Sequence, residues 1–271
     1  MGRNSLSLRL PTALRGDAMA FTLQTEIDTA NESLLRLGCK TTITLAGYAT
    51  DVNGIKANLI FPQTRDSLLR SYSWNFATAR LYLASVWKTA RYYAIGEYVW
   101  YPDASSTSLL YKCATAHTSG TWATDLAAVK WVIYTSRPLY HWNYQYDLPT
   151  TCLRLLTYNN SHHGYGTYYN HHYALEGDKI LTDETDVKIR YIDQIIDPDN
   201  WDSLFKEVFI LQLALKLLPA IGGVGTPTLN AELRSELKDV MARARVVNRN
   251  ETNDTGRSDW NVARFKENKV G

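Results

Sequence analysis

"DVKIRYIDQIIDPDNWDSLFKEVFILQLALKLLPAIGG", residues 186–223, changes its hydrophobic period part-way along. Val187, Ile189 and Tyr191 alternate with Lys188 and Arg190, the period of a strand with one buried face. Further on the pattern turns helical, from about Asn200 to Leu218. Asp199 or Asn200 serves as N-cap, and Pro219 with Gly222-Gly223 as the stop. The most apolar part, Val208 to Ile221, is broken by Gln212, Lys216 and Pro219 and is too short to span a membrane. It predicts a buried helix, directly preceded by a strand.

Outward from this stretch the same two periods sort the chain. A first helix is predicted over Thr25–Leu37, because Ile27, Ala30, Leu34 and Leu37 share a face and Gly38 suits the left-handed residue after it. A second starts after Asp51, with Ile55, Ala57, Leu59 and Ile60. Pro62 is expected to kink or divide it before Arg65–Ser71 continues. "SYSWNFA" ends that helix and sends Trp74 and Phe76 inward, and "RLYLASV" follows as a strand. Residues 92–134 are dense in Trp, Tyr, Thr and Ser and read as short strands with polar turns. "YDLPTTCLRLLTY" reads as an extended lead-in and a strand, and "YALEGDKILTD" as a hairpin turning at Gly177-Asp178. A last helix begins near Asn230 with Leu233, Leu237, Val240 and Met241 on its apolar stripe.

Helices, strands, then helices predict an α+β fold: a helical-bundle core, a small antiparallel β-sheet region and a small all-β insert. The implied organisation is an extension over 1–18, a discontinuous main domain over 19–88 and 136–247, an insert over 89–135 and a tail over 248–271. Met19 reads as a second start, and the first eighteen residues lack the apolar core of a signal peptide. The tail is polar and predicted to be flexible alone, yet it carries Trp260 and Phe265, which a solvating tail has no reason to keep.

Composition narrows the function. With 18 Tyr and 8 Trp in 271 residues, the chain holds more large rings than a core requires, a surplus typical of interfaces and ligand-stacking surfaces. A net charge of +2 argues against a dedicated nucleic-acid binder. Cys39, Cys113 and Cys152 are odd in number and lack metal-ligand spacing, which predicts reduced thiols made in a cytosol.

Local chemistry is sparse. "SHHGYGTYYNHH", residues 161–172, holds four of the six histidines as two adjacent pairs. Neighbouring residues of a strand point to opposite faces, so at most one His of each pair reaches a common ion, and the stretch reads better as a loop or hairpin tip. No metal is assigned. "GGVGTP" follows a helix rather than a strand, so it is no phosphate loop. No nucleophile elbow or His-Glu helix pair is present. Glu97, Asp103 and Asp125 are candidate acids by proximity to the aromatic insert alone, against the simpler reading of solvated loop acids.

Two resemblances sharpen these expectations. Trp87, then Tyr93, Gly96, Glu97, Val99 and Tyr101, then Tyr111, Cys113, His117, Thr118, Ser119 and Trp131 follow the pattern of small chitin- or cellulose-binding modules. The insert therefore resembles the carbohydrate-binding type five and twelve group, with Glu97 where Asp is usual and a longer run between Tyr101 and Tyr111. The resemblance implies glycan stacking on Trp100, Tyr101, Trp122 and Trp131. Several of these rings must also serve as the module's own core.

Outside the insert, "ANESLLRLG" (30–38), "RDSLLRSYSWNFA" (65–77), "YQYDLPTTCLRLL" (144–156), "EGDKILTD" (176–183), "IRYI" (189–192), "WDSLFKEVFILQLA" (201–214) and "SDWNVARF" (258–265) occur in a telling order. That order resembles the tail tubular protein A family, the head-to-tail adaptors of short-tailed bacteriophages. Ser73 stands where the family has Pro, and Thr151 where it has Asp.

The resemblance implies a virion protein of the tail and portal vertex, made in the host cytoplasm, with neither catalysis nor cofactor. It implies a self-assembled ring, usually of twelve copies, between the portal protein and a nozzle protein of the tubular protein B type. Tail fibres are further candidate neighbours. DNA passes through the channel without sequence specificity, and no membrane is involved. Trp260, Arg264 and Phe265 would grip the portal. His162, His163, Tyr165, Tyr168, Tyr169, His171 and His172 would face the nozzle. Two rivals stay open: a glycan-binding or glycan-degrading tail component acting through the insert, and a gatekeeper that contacts DNA.

Overall fold

Helical periodicity claims both ends of the chain and strand periodicity its middle, and the tertiary contacts follow that division. The computed structural model describes residues 23–40, 42–102, 108–159, 173–221 and 227–251. Among these described residues, those up to Arg65 together with those from Asp197 onward form one unit, and those of Asp66–Ile196 form the other. The fold is mixed α and β, as its class was read from the sequence.

In the first unit lie α1 (Gln24–Arg36), the start of α2 (Val52–Ser71), α4 (Ser203–Ile221) and α5 (Pro227–Glu251). The short α3 (Trp122–Ala127) belongs to the other unit. Gly38 takes a left-handed φ of 76° just past α1, as its position demands. Asn31 of α1 both donates to and accepts from the backbone of Ile43, which ties down the following loop.

Helix α4 is buried on most of its circumference, from Phe205 through Leu218, because α1 and α5 both pack on it. Phe209 meets Phe61 of α2 edge-on at 4.7 Å and Trp201 at 4.8 Å. Deep between these helices Glu26 faces Arg65 at 3.8 Å, both almost fully buried.

Three expectations about these helices change. Pro62 does not divide α2, which runs unbroken. A proline removes one backbone bond, and here Phe61, Thr64 and Arg65, all buried beside it, hold the helix together. Pro219 does not end α4, which continues to Ile221, where the Lys56 ammonium donates to the Ala220 carbonyl at 2.8 Å. The N-cap is neither Asp199 nor Asn200, since Pro198–Asn200 forms a 3-10 turn. Asp202 caps instead, accepting from the N–H groups of Leu204 (2.9 Å) and Phe205 (3.2 Å). Asp202→Ala should therefore cost about 1 kcal/mol in urea unfolding, and no measurable change would remove the cap.

Helix α5 also starts earlier and ends later than predicted. Pro227 opens it, where a missing N–H costs nothing, and it runs to Glu251 with Asn248 buried. The tail boundary drawn at 247/248 therefore falls inside a helix.

The second unit holds β1 (Thr78–Val86), β2 (Tyr92–Tyr93), β3 (Tyr98–Tyr101), β4 (Leu109–Cys113), β5 (His117–Thr118), β6 (Trp131–Ile133), β7 (Tyr144–Asp147), β8 (Cys152–Tyr158), β9 (Tyr173–Glu176), β10 (Lys179–Thr182) and β11 (Val187–Asp193). The hairpin β9–β10 turns at Gly177, φ 61°, where the sequence placed it. Trp74 is buried as expected, its indole N–H donating to the Leu68 carbonyl at 3.1 Å, while Phe76 is half-buried.

The sheet is larger than expected, and not purely antiparallel. Its order is β6-β4-β3-β1-β11-β8, with β1 and β3 parallel and the remaining pairs antiparallel. β7-β10-β9 and β2-β5 form two smaller sheets. The insert is consequently not walled off at residue 89, because its strands β3, β4 and β6 extend the same sheet as β1, β11 and β8.

Strand β3, "YVWY", explains the join. Tyr98 and Trp100 enter a core with Leu83, Tyr146, Tyr158 and Ile189, whereas Val99 enters a second core with Tyr93, Tyr111, Cys113 and Trp131. Both faces are covered, so the strand needs apolar or aromatic residues at every position.

Candidate functional site

The second core is where the sequence placed glycan stacking. Trp87, Tyr101 and Trp122 are half-buried and pack on it. Trp122 lies on α3, whose N-cap Thr121 accepts from the Thr124 N–H. Tyr101 stacks on Trp122 at 4.0 Å with planes 6° apart, and Trp87 meets both rings edge-on at 5.9 and 5.7 Å. Tyr111 and Trp131 approach Trp122 at 4.8 and 5.8 Å.

Of the four rings assigned to stacking, the structure unites Tyr101, Trp122 and Trp131. Trp100 points to the opposite face of β3, against Tyr144. Trp100 and Trp131 are each only 3% exposed, so neither offers a face to a sugar. Tyr101 and Trp122 each lose one face to the other. The rings that reach solvent are Trp87, Tyr101 and Trp122. Trp87 was legible as part of the motif but was not assigned to the surface.

Two of the three acids near the insert, Glu97 and Asp125, are buried rather than solvated. Glu97 is buried and bonded to Arg91 at 3.0 Å, and burial holds its carboxyl above the usual range against the pull of Arg91. Arg91 also donates to Ser85 and lies over the rings of Tyr82 and Tyr93 at 4.8 and 4.6 Å. Asp125 accepts from Lys130 (2.9 Å) and the Gly120 N–H (3.0 Å). Burial pushes its carboxyl upward, but these donors outweigh it and hold the group below its usual value. Asp103 lies outside the described residues.

Cys113, His117 and Asp125 fall into a nucleophile–base–acid order: Sγ is 3.9 Å from Nδ1, and Nε2 is 3.6 Å from Oδ2. Chemistry does not follow. Cys113 is 1% exposed, and burial pushes its thiol up to about 11, so the thiolate a nucleophile requires is not formed near neutrality. His117 Nδ1 is already 2.8 Å from the Thr115 carbonyl. The trio pins β4, β5 and α3 together. No group of three His, Cys, Asp or Glu arranged for a metal ion occurs among the described residues.

The densest polar cluster was not visible in the sequence. Asp147, at the end of β7, accepts from Tyr98 (2.8 Å), Lys112 (2.6 Å), Tyr134 (3.0 Å) and Lys179 (2.5 Å). Burial opposes its charge, but the two ammoniums and the Tyr98 phenol win and hold the carboxyl far below the usual range. Tyr98 is pushed the other way, chiefly by burial. A carboxylate so saturated with donors has no lone pair or proton to lend, so it joins strands rather than catalyses.

The sequence matches no protein-family model and no curated protein. The assigned nozzle loop (His162, His163, Tyr165, Tyr168, Tyr169, His171, His172) and the portal grip (Trp260, Arg264, Phe265) lie outside the described residues. No described helix is long and apolar enough to cross a membrane.

Proposed function

We propose that this chain is a ring-forming, non-enzymatic head-to-tail adaptor of a short-tailed phage, seated between portal and tail nozzle around the DNA channel. One observation supports it most. Val52, Ile55 and Leu59 stand on one side of α2 at helical spacing and are 63, 51 and 53% exposed. An exposed apolar stripe on a regular helix suits packing against another copy of the chain, as helices of neighbouring subunits pack in a bundle closed into a ring. The order of motifs along the chain points the same way. In this reading the helical unit supplies the subunit contacts, and residues beyond Glu251 the portal attachment.

The glycan reading is weaker, because two of its four rings are core residues and the other two cover each other.

Leu59→Arg tests the proposal without disturbing a core contact. The parent should form rings in negative-stain micrographs and mass photometry. The variant should keep its circular dichroism and stay monomeric. A chain ended after Glu251 should still form rings but fail to co-sediment with portals. A parent that remains monomeric beside its portal would sink the proposal.

A further inference from the structure

The outer face of β1, β11 and β8 carries an arrangement that folding alone disfavours. Arg80 on β1 stands directly opposite Arg190 on β11, and Arg190 is paired in turn with Thr157 on β8. The next pair along the same face is Tyr82 with Lys188. Like charges directly opposite one another in adjacent strands are destabilising.

Nearby cations have their own partners: Lys188 pairs with Asp186 at 3.0 Å and Arg91 with Glu97 at 3.0 Å. Lys188 also lies over the Tyr82 ring at 5.3 Å, and Arg91 does so at 4.8 Å. Among the described residues neither Arg80 nor Arg190 has an acidic partner, and the Nε of Arg190 is buried with no acceptor. Arg80, Arg190, Lys188, Tyr82 and Thr157 line a concavity of about 340 Å³.

We propose that this face is a phosphate-binding site, in which Arg80 and Arg190 clamp the phosphate and Thr157 and Lys188 assist. A carboxylate brings one charge, whereas two unneutralised guanidiniums call for two. A phosphate dianion supplies them, together with oxygens that suit the planar fork of arginine. The occupant offsets the repulsion across the strands. The site stands apart from ring assembly and holds or fails without it.

The test uses the full chain in chloride buffer and in inorganic phosphate at equal ionic strength. Phosphate should raise the melting temperature, and calorimetric titration should give saturable binding that strengthens from pH 6 to pH 8 as the dianion replaces the monoanion. Arg80→Gln and Arg190→Gln should each weaken binding about ten-fold. In chloride, Arg80→Gln should melt no lower than the parent, because it removes a repulsive pair. A purely structural arginine would lower it.

A random-sequence DNA duplex identifies the source. Arginine-dependent, salt-sensitive retention assigns the phosphate to a nucleic-acid backbone, and a response to inorganic phosphate alone assigns it to a small phosphorylated compound. A parent indifferent to both probes, or arginine variants that respond as the parent does, would overturn the site.

Discussion

Asp147→Ala should destabilise the β unit by about 3 kcal/mol, the low end of the range for breaking a buried ion pair, since the carboxylate is 22% exposed. The loss exceeds that of an ordinary surface bridge because one carboxylate serves four donors on separate elements. Tyr98 comes from β3, Lys112 from β4, Tyr134 from the segment after β6 and Lys179 from β10. Its removal leaves two ammoniums close together and takes the acceptor from two phenols, Tyr98 and Tyr134.

The pH dependence has a definite sign. The carboxyl of Asp147 is held below its unfolded value, so the stability it contributes is fully present above about pH 4. It drains away as pH falls toward the depressed folded value. The gap between parent and Asp147→Asn, measured by urea unfolding with tyrosine near-ultraviolet circular dichroism, should be constant from pH 5 to pH 8 and shrink below pH 4. A gap independent of pH would show that the carboxylate's charge contributes nothing.

Trp131→Ala should cost about 3–5 kcal/mol and melt the insert's core. Trp131 is almost fully buried, meets Tyr93 edge-on at 5.0 Å and His117 at 5.1 Å, and stands opposite Cys113 across β4 and β6. Trp122→Ala should cost about 1–2 kcal/mol, because part of that ring is already in water. Tryptophan fluorescence during urea unfolding separates the two, and equal losses would mean that burial does not rank these rings. Any glycan-binding assay belongs on Trp87, Tyr101 and Trp122, since loss of binding in Trp131→Ala would report unfolding.

Periodicity made much of the fold legible. The strand at 187–193 and the helix of Phe205–Leu218 were readable because each buries residues at a fixed spacing, and Gly38 and Gly177 because a left-handed turn selects for glycine. Helix ends were less legible. Whether Pro62 or Pro219 breaks a helix depends on what is packed beside it, and Asp202 displaced two equally plausible caps once Pro198–Asn200 formed its own turn. The insert misled for a related reason. A motif specifies which rings are present, but the way they face depends on the neighbouring strand, and the pairing of β3 with β1 buried Trp100 on one side and Val99 on the other.

From the sequence alone came the mixed class, the helix–strand–helix order, the aromatic surplus and the expectation of an assembly role. The first three rest on composition and on spacing within a dozen residues, the last on the resemblance carried by the motif order along the chain. Only the tertiary structure decided that the insert shares a sheet with the main strands, that Asp147 gathers four donors, and that Arg80 faces Arg190 across 110 positions of chain. The reason is physical: strand pairing and burial are set by residues far apart in sequence, and no local pattern records which of them meet.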